Sequence, residues 1–207
     1  MPAALAAEDI IGGNVYPKYT TRNPIARWLV GNFLANLHDL VRLTGAREVH
    51  EVGCGEGFLA TRLAAQGLAV RGSDVSPAAI EQARRRAAAL GRPLQLQIAD
   101  LYELDAKRDR AELVICCEVL EHLPDAERAL GILARLARPH LIVSVPREPL
   151  WRVLNLARGK YWQALGNTPG HLQHWSTAGF LAQLHDRLDV VEVRTPLPWT
   201  MALCRHR

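Results

Sequence analysis

HEVGCGEG, residues 50–57, sets an acid two positions ahead of three alternating glycines, Gly53, Gly55 and Gly57, where a strand-like apolar run ends. Glycine takes backbone angles closed to other residues and lets a ligand reach the main chain without meeting a Cβ. The stretch therefore reads as a first strand, a tight turn and the entry to a first helix. In open α/β sheets ligands bind there, beyond the carboxyl ends of the strands. The spacing narrows the choice of ligand. A dinucleotide fingerprint requires Gly-x-Gly-x-x-Gly, and Phe58 stands where its third glycine would be. Glu51 favours a cationic or hydroxylated ligand over a pyrophosphate.

Outward from this turn, strand-like runs at 48–53, 68–73, 94–99, 112–117 and 140–145 alternate with helical stretches near 57–66, 76–90, 125–137 and 176–187. A closing strand pair falls near 188–194 and 199–204. The alternation predicts an α/β, Rossmann-like fold with a mostly parallel sheet and helices on both faces. Ser76-Pro77 sets a cap and a proline at one helix start, and Gly91 follows that helix. Residues 23–45, NPIARWLVGNFLANLHDLVRLTG, repeat apolar residues at helical spacing and predict one or two helices on the sheet edge or over the site.

With 207 residues, 49% hydrophobic and 22% charged, the chain supports one core. We expect a single domain: a helical cap (1–46), a cofactor-binding core (47–145), a lid and substrate segment (146–175) and a closing helix with a strand pair (176–207). No run reaches the roughly 18 apolar residues of a membrane span, and the start MPAALAAEDI carries acids where a signal peptide has basic residues. A soluble, unprocessed, cytoplasmic chain is the expectation, as monomer or homodimer. Cys54, Cys116, Cys117 and Cys204 show no Cys-x-x-Cys spacing, so neither a disulfide frame nor a zinc knuckle is indicated. The net charge of +4 comes mainly from dispersed arginines. No basic arm or binding module points to nucleic acid.

Three further strand ends carry acids. Asp74 closes the second strand, where a ribose could be held through both hydroxyls, and Asp100 closes the third, within reach of an adenine amine. The fourth strand runs directly into Glu118 and Glu121. Singly, each acid could be a turn former or a helix cap. Four successive strand ends with this pattern exceed turn chemistry.

As an ordered set, EVGCGEG, GSDVS, IADL and ICCEVLEHL resemble the class I S-adenosylmethionine-dependent methyltransferases, especially the small type 11 group. The resemblance covers residues 47–145 and implies sheet order 3-2-1-4-5-7-6 with the seventh strand antiparallel. It implies that Glu51, Gly53, Cys54, Gly55 and Gly57 lie under the methionine part of the cofactor. Asp74 would hold the ribose with Val75 beside the adenine, Asp100 followed by Leu101 would meet the adenine amine, and Cys117 and Glu118 would flank the methionine end. The implied activity is methyl transfer from S-adenosyl-L-methionine to an oxygen or nitrogen of a small molecule, with S-adenosyl-L-homocysteine as product.

Such a site must align two reactants, exclude water and, for a hydroxyl acceptor, remove a proton. Glu118, Glu121 and His122 lie at i, i+3 and i+4, so a helix starting there would put all three on one face. The cluster resembles the metal-binding segment of the ubiquinone-pathway O-methyltransferases and the small-RNA 3′-end methyltransferases. The plainer reading, which we adopt, has the acids lining the pocket and His122 bracing the helix without metal. Downstream, NTPGHLQHWS (167–176) supplies His171 and His174 on a loop before a helix capped by Ser176, and either histidine could be the base or a third metal ligand, or brace the loop. The segment 146–166, rich in Trp and Arg, reads as a lid. A sharper reading puts it against a membrane surface or a lipid-linked acceptor. Two other classes remain: a metal-assisted RNA or quinone-type hydroxyl methyltransferase, and a module that binds S-adenosyl ligands without turnover or a different nucleotide user such as an NAD-dependent enzyme.

Overall fold

The computed structural model describes residues 21–91 and 94–207, so the first twenty residues of the expected cap lie outside the described part. Seven strands form one sheet: β1 (Glu48–Val52), β2 (Ala69–Asp74), β3 (Gln95–Ile98), β4 (Ala111–Cys117), β5 (Ala137–Pro146), β6 (Leu188–Arg194) and β7 (Trp199–His206). Their order is β3-β2-β1-β4-β5-β7-β6. The first five are parallel, and β7 runs antiparallel to both β5 and β6, as expected. The order in which successive strands are laid down reverses between β1 and β4, which opens a crevice at their carboxyl ends.

The described residues form six α-helices: α1 (Pro24–Thr44), α2 (Phe58–Ala65), α3 (Pro77–Ala89), α4 (Ala126–Leu136), α5 (Leu150–Ala157) and α6 (Thr177–His185). Alternation along β4 sorts the core. Leu113 and Ile115 face Phe33, Leu37 and Leu40 of α1 and Leu59 and Leu63 of α2. Val114 and Cys116 face Leu130 and Leu133 of α4 and Phe180 and Leu184 of α6. A strand buried on both sides needs such a continuous apolar run.

Local signals fix the helix ends. The Ser76 hydroxyl accepts from the Ala79 N–H at 3.2 Å and the Ser176 hydroxyl from the Gly179 N–H at 3.1 Å, so both expected caps form. Stretch 23–45 makes one helix rather than two. Asn23 caps it through the Ile25 N–H at 2.9 Å, and Gly45 ends it in the left-handed region.

Candidate functional site

The glycine turn is held from below by β2. The Ser73 carbonyl accepts from the Gly53 N–H at 2.8 Å and the Cys54 N–H at 3.0 Å. Gly53, Gly55 and Gly57 have φ of 74°, 51° and 70°, so each glycine occupies a region that other residues avoid. Space is equally restrictive. A Cβ on Gly53 would lie 2.3 Å from Val119 Cγ2, and one on Gly57 would lie 2.8 Å from Ala83 Cβ. Glu51 is buried beneath the turn. The Cys54 side chain faces the protein interior, where a Cβ on Gly72 would approach its Sγ to 2.9 Å. Burial pushes this thiol upward in pKa, with Glu51 and Asp74 adding to the effect.

Asp74 ends β2 with both carboxylate oxygens oriented by main chain. The Gly55 N–H donates to Oδ2 at 2.8 Å and the Ser76 N–H to Oδ1 at 2.9 Å. Beside it, Val75 is 65% exposed. Asp100 caps a short 3-10 turn, Leu101–Glu103, by accepting from the Tyr102 N–H at 2.9 Å. Turn chemistry thus accounts for one of its oxygens. Leu101 is buried in the core, which leaves only its backbone for a ligand.

His50 was not foreseen. It is fully buried under the turn, with Nδ1 2.8 Å from the Asp109 carbonyl and Nε2 2.9 Å from the Ser73 hydroxyl. A carbonyl only accepts, so Nδ1 carries the proton and Nε2 accepts from Ser73. Burial lowers the imidazole pKa. The only sequence signal was a histidine inside an apolar strand.

The acids after β4 do not form the expected helical face. Glu118 has φ of 60°, and only Leu120–His122 turn, as a 3-10 helix. The left-handed residue redirects the chain, so Glu118 parts from Glu121 and His122. Its carboxylate accepts from the Ser144 hydroxyl at 3.2 Å and the Trp199 indole N–H at 2.5 Å. Neighbouring Cys117 is half-buried.

Glu121, His122 and His171 come together instead, each offering a ligand atom within 4.8 Å of the others. The His122 and His171 rings meet edge to face at 4.9 Å, and His122 Nδ1 donates to the Gly170 carbonyl at 3.0 Å. The loop reaches the cluster because the Leu172 and Gln173 N–H groups both donate to the Glu121 carbonyl, at 2.7 and 3.0 Å. His174 stays outside. It is exposed and bonded to Asn167 Oδ1 at 2.7 Å, and partial burial and Arg152 lower its pKa. Trp151 stacks on His171 at 5.9 Å and faces Trp199 at 6.0 Å, so these rings make a wall over the carboxyl ends of β4 and β5.

Residues 49–140 match the family described as "Methyltransferase domain". The sheet has the class I methyltransferase fold, and the domain match covers 92 of the 207 residues. The chain is 34% identical over 145 residues to the ubiquinone biosynthesis O-methyltransferase of Alkalilimnicola ehrlichii, covering 63% of this chain and 58% of that protein. With its Coxiella burnetii counterpart the identity is 29% over 153 residues, 67% of this chain and 64% of that protein. The chain thus spans less than two thirds of either relative. Among solved structures, the magnesium protoporphyrin IX methyltransferase of Synechocystis PCC 6803 with bound S-adenosylhomocysteine superposes with a TM-score of 0.72. Identity is 20%, over 96% of this chain and 97% of that one. The methyltransferase domain of bacterial CtHen1-CN gives a TM-score of 0.65 at 21% identity, over 86% and 99% of the two chains.

Proposed function

We propose that the chain transfers a methyl group from S-adenosyl-L-methionine to an oxygen or nitrogen of a small-molecule acceptor, a hydroxyl oxygen being favoured by the names of its relatives. The observation that carries the reading is the Asp74 carboxylate, fixed by the Gly55 and Ser76 N–H groups at the lip of a turn that admits no Cβ. A carboxylate has about four acceptor positions, so two vicinal hydroxyls can join the two backbone donors. The donor set fits an adenosyl group: Asp74 for the ribose, the exposed Val75 for an adenine face, and Asp100 with the Leu101 backbone for the adenine amine. The glycine turn with Glu51, and Cys117 with Glu118, would hold the methionine end.

Bound there, S-adenosylmethionine supplies an electrophilic sulfonium methyl. The protein's part is alignment and dryness. The Trp151–Trp199 wall holds the acceptor over the ends of β4 and β5 and keeps water out. His171, buried beside His122 and under Trp151, stands where an acceptor proton could be taken. Four cysteines outside any disulfide, three of them buried, suit a reducing compartment, and a cytoplasmic monomer or homodimer completes the reading.

A second reading is favoured by the Glu121, His122 and His171 cluster. Two imidazoles and a carboxylate suit Mg, Mn or Zn, and a ligating histidine characteristically donates its other N–H to a carbonyl, as His122 does to Gly170. A divalent ion there would acidify an acceptor hydroxyl. Calorimetric titration with S-adenosylmethionine, S-adenosylhomocysteine and NAD, with EDTA and then with each metal, tests both readings. Micromolar binding of the S-adenosyl pair but not NAD supports the cofactor. Metal-dependent methylation of a catechol, lost in His171→Ala but kept in His174→Ala, supports the ion. Failure of both S-adenosyl ligands to bind refutes the whole reading.

The lid supports a membrane-surface contact, though not through Trp151. That ring is turned inward, its Nε1 donating to the Thr168 hydroxyl at 2.9 Å. The outward residues are Trp162 and Leu165, 65% and 74% exposed, on a loop carrying Arg158 and Lys160. No described helix is long and apolar enough to cross a membrane. Binding to anionic vesicles, lost in Trp162→Ala/Leu165→Ala, is the expected result. Absence of binding at low salt would end this reading.

A further inference from the structure

Trp199 opens β7 opposite Pro146, and methyl transfer at this site uses it only as a wall. Its contacts make it more than packing. The ring is 6% exposed, meeting Phe33 of α1 edge to face at 5.0 Å and Trp151 of α5 at 6.0 Å. Two helices from opposite ends of the cofactor-binding core thus set the orientation of the indole. An indole N–H is a donor only, with one fixed direction. Here it points at Glu118 Oε2, 2.5 Å away.

Glu118 needs such fixing. At φ of 60° it occupies the left-handed region, which a non-glycine residue keeps only where its surroundings over-determine it. Three contacts do so: the Trp199 N–H on one oxygen, the Ser144 hydroxyl on the other, and the Ser144 carbonyl, which accepts the Glu118 N–H at 3.1 Å. Ser144 is fully buried and pairs with Met201 of β7, so both carboxylate donors stand on the antiparallel β5–β7 ladder. The end of β4 is therefore clamped by the closing strand.

We propose that Trp199 is a positioning residue that fixes the Glu118 carboxylate at the meeting point of cofactor and acceptor, tying α1 and α5 to that site through its ring contacts. This rests on the cofactor reading given above, in which Glu118 flanks the methionine end. Trp199 acts through Glu118 and does not itself touch the reacting atoms.

The test is S-adenosylhomocysteine calorimetry on the wild type, Trp199→Phe, Glu118→Gln and the double variant, with thermal melting as a folding check. Trp199→Phe keeps a ring and removes only the donor. Each single change should weaken binding about tenfold or more, as loss of a hydrogen bond to a charged group implies. Because they break one link, the double variant should bind within about threefold of the weaker single. Phe33→Leu, which loosens the α1 side of the indole but leaves its N–H in place, should weaken binding in the same direction and by less than Trp199→Phe does. If Trp199→Phe does not fold, replacement by 3-benzothienylalanine, which puts sulfur in place of N–H in nearly the same shape, is read identically. Wild-type affinity in the donor-less variant, or losses that multiply in the double, would overturn the proposal while leaving the cofactor reading intact. A wild type that does not bind S-adenosylhomocysteine would overturn both.

Discussion

Replacing Gly53 by alanine should destabilise the protein through two separable effects. The first is backbone: at φ of 74° an L-residue costs roughly 1–2 kcal/mol. The second is steric, because the new Cβ would sit 2.3 Å from Val119 Cγ2 and 3.3 Å from Cγ1, and such overpacking costs about 1–3 kcal/mol. Together they remove about 2–5 kcal/mol, a large share of the about 5–15 kcal/mol typical of a domain. Gly45 supplies the control. Its φ is 63°, and a Cβ added there would meet nothing within 4 Å, so Gly45→Ala should show the backbone cost alone. Truncating Val119 to alanine removes both clashing methyls and leaves its Cβ 3.4 Å away, an ordinary contact. In urea unfolding, Val119→Ala should therefore be far less damaging in the Gly53→Ala background than in the wild type, by about 1–3 kcal/mol. The reasoning is refuted if Gly53→Ala costs no more than Gly45→Ala, or if the two changes add independently.

Asp74→Asn should weaken S-adenosylhomocysteine binding at least tenfold by calorimetry, since it exchanges a charged acceptor of two hydroxyls for a neutral one; unchanged affinity would misplace the ribose. The buried His50 has a pKa below its ordinary value, so the unfolded chain takes up a proton as pH falls through about 6.5 while the folded chain does not. Stability should be level above that pH and drop below it by at most about 1.4 kcal/mol per pH unit, until the folded pKa is reached. Urea unfolding of His50→Gln should show a shallower decline between pH 5 and 6.5; an unchanged slope would assign the effect elsewhere. In native-state alkylation read by mass spectrometry, Cys117 should label first, because Cys54, Cys116 and Cys204 are buried and their thiols are pushed up, Cys204 to about 12. S-adenosylhomocysteine should slow that labelling, and early reaction at Cys54 would contradict its inward placement.

Strand positions and helix ends were legible in the sequence because each rests on local chemistry, whereas the strand order came from the resemblance. The turn glycines, the Ser76 and Ser176 caps and the continuous apolar run of β4 act within a few residues of one another. The strand-end acids were legible for the same reason, since a parallel sheet brings successive carboxyl ends to one edge. What sequence spacing misjudged was the geometry after β4. Counting i, i+3 and i+4 assumes helical angles, and the left-handed Glu118 breaks that assumption. Contacts between distant segments were beyond reach. Nothing in PWTMALC marks Trp199 as the partner of a residue 81 positions earlier, and nothing in NTPGHLQHWS shows that His171 rather than His174 meets His122.

The distribution of left-handed residues at the crevice follows a physical logic. Before the crevice, the chain turns on Gly53, Gly55 and Gly57, where absence of a side chain is the requirement because Val119 after β4 and Ala83 of α3 press against the turn. Across the crevice, the same backbone region is occupied by Glu118, where glycine would relieve strain of order 1–3 kcal/mol. Stability alone would place glycine there too. The carboxylate is instead anchored by donors from β5 and β7 and set beside the half-buried Cys117. Under the cofactor placement proposed above, one side of the crevice lets a ligand close in on bare backbone, and the other presents a fixed negative group to it. That asymmetry suits a ligand whose sugar and sulfonium arm lie on the glycine side while its charged end and the acceptor meet Glu118.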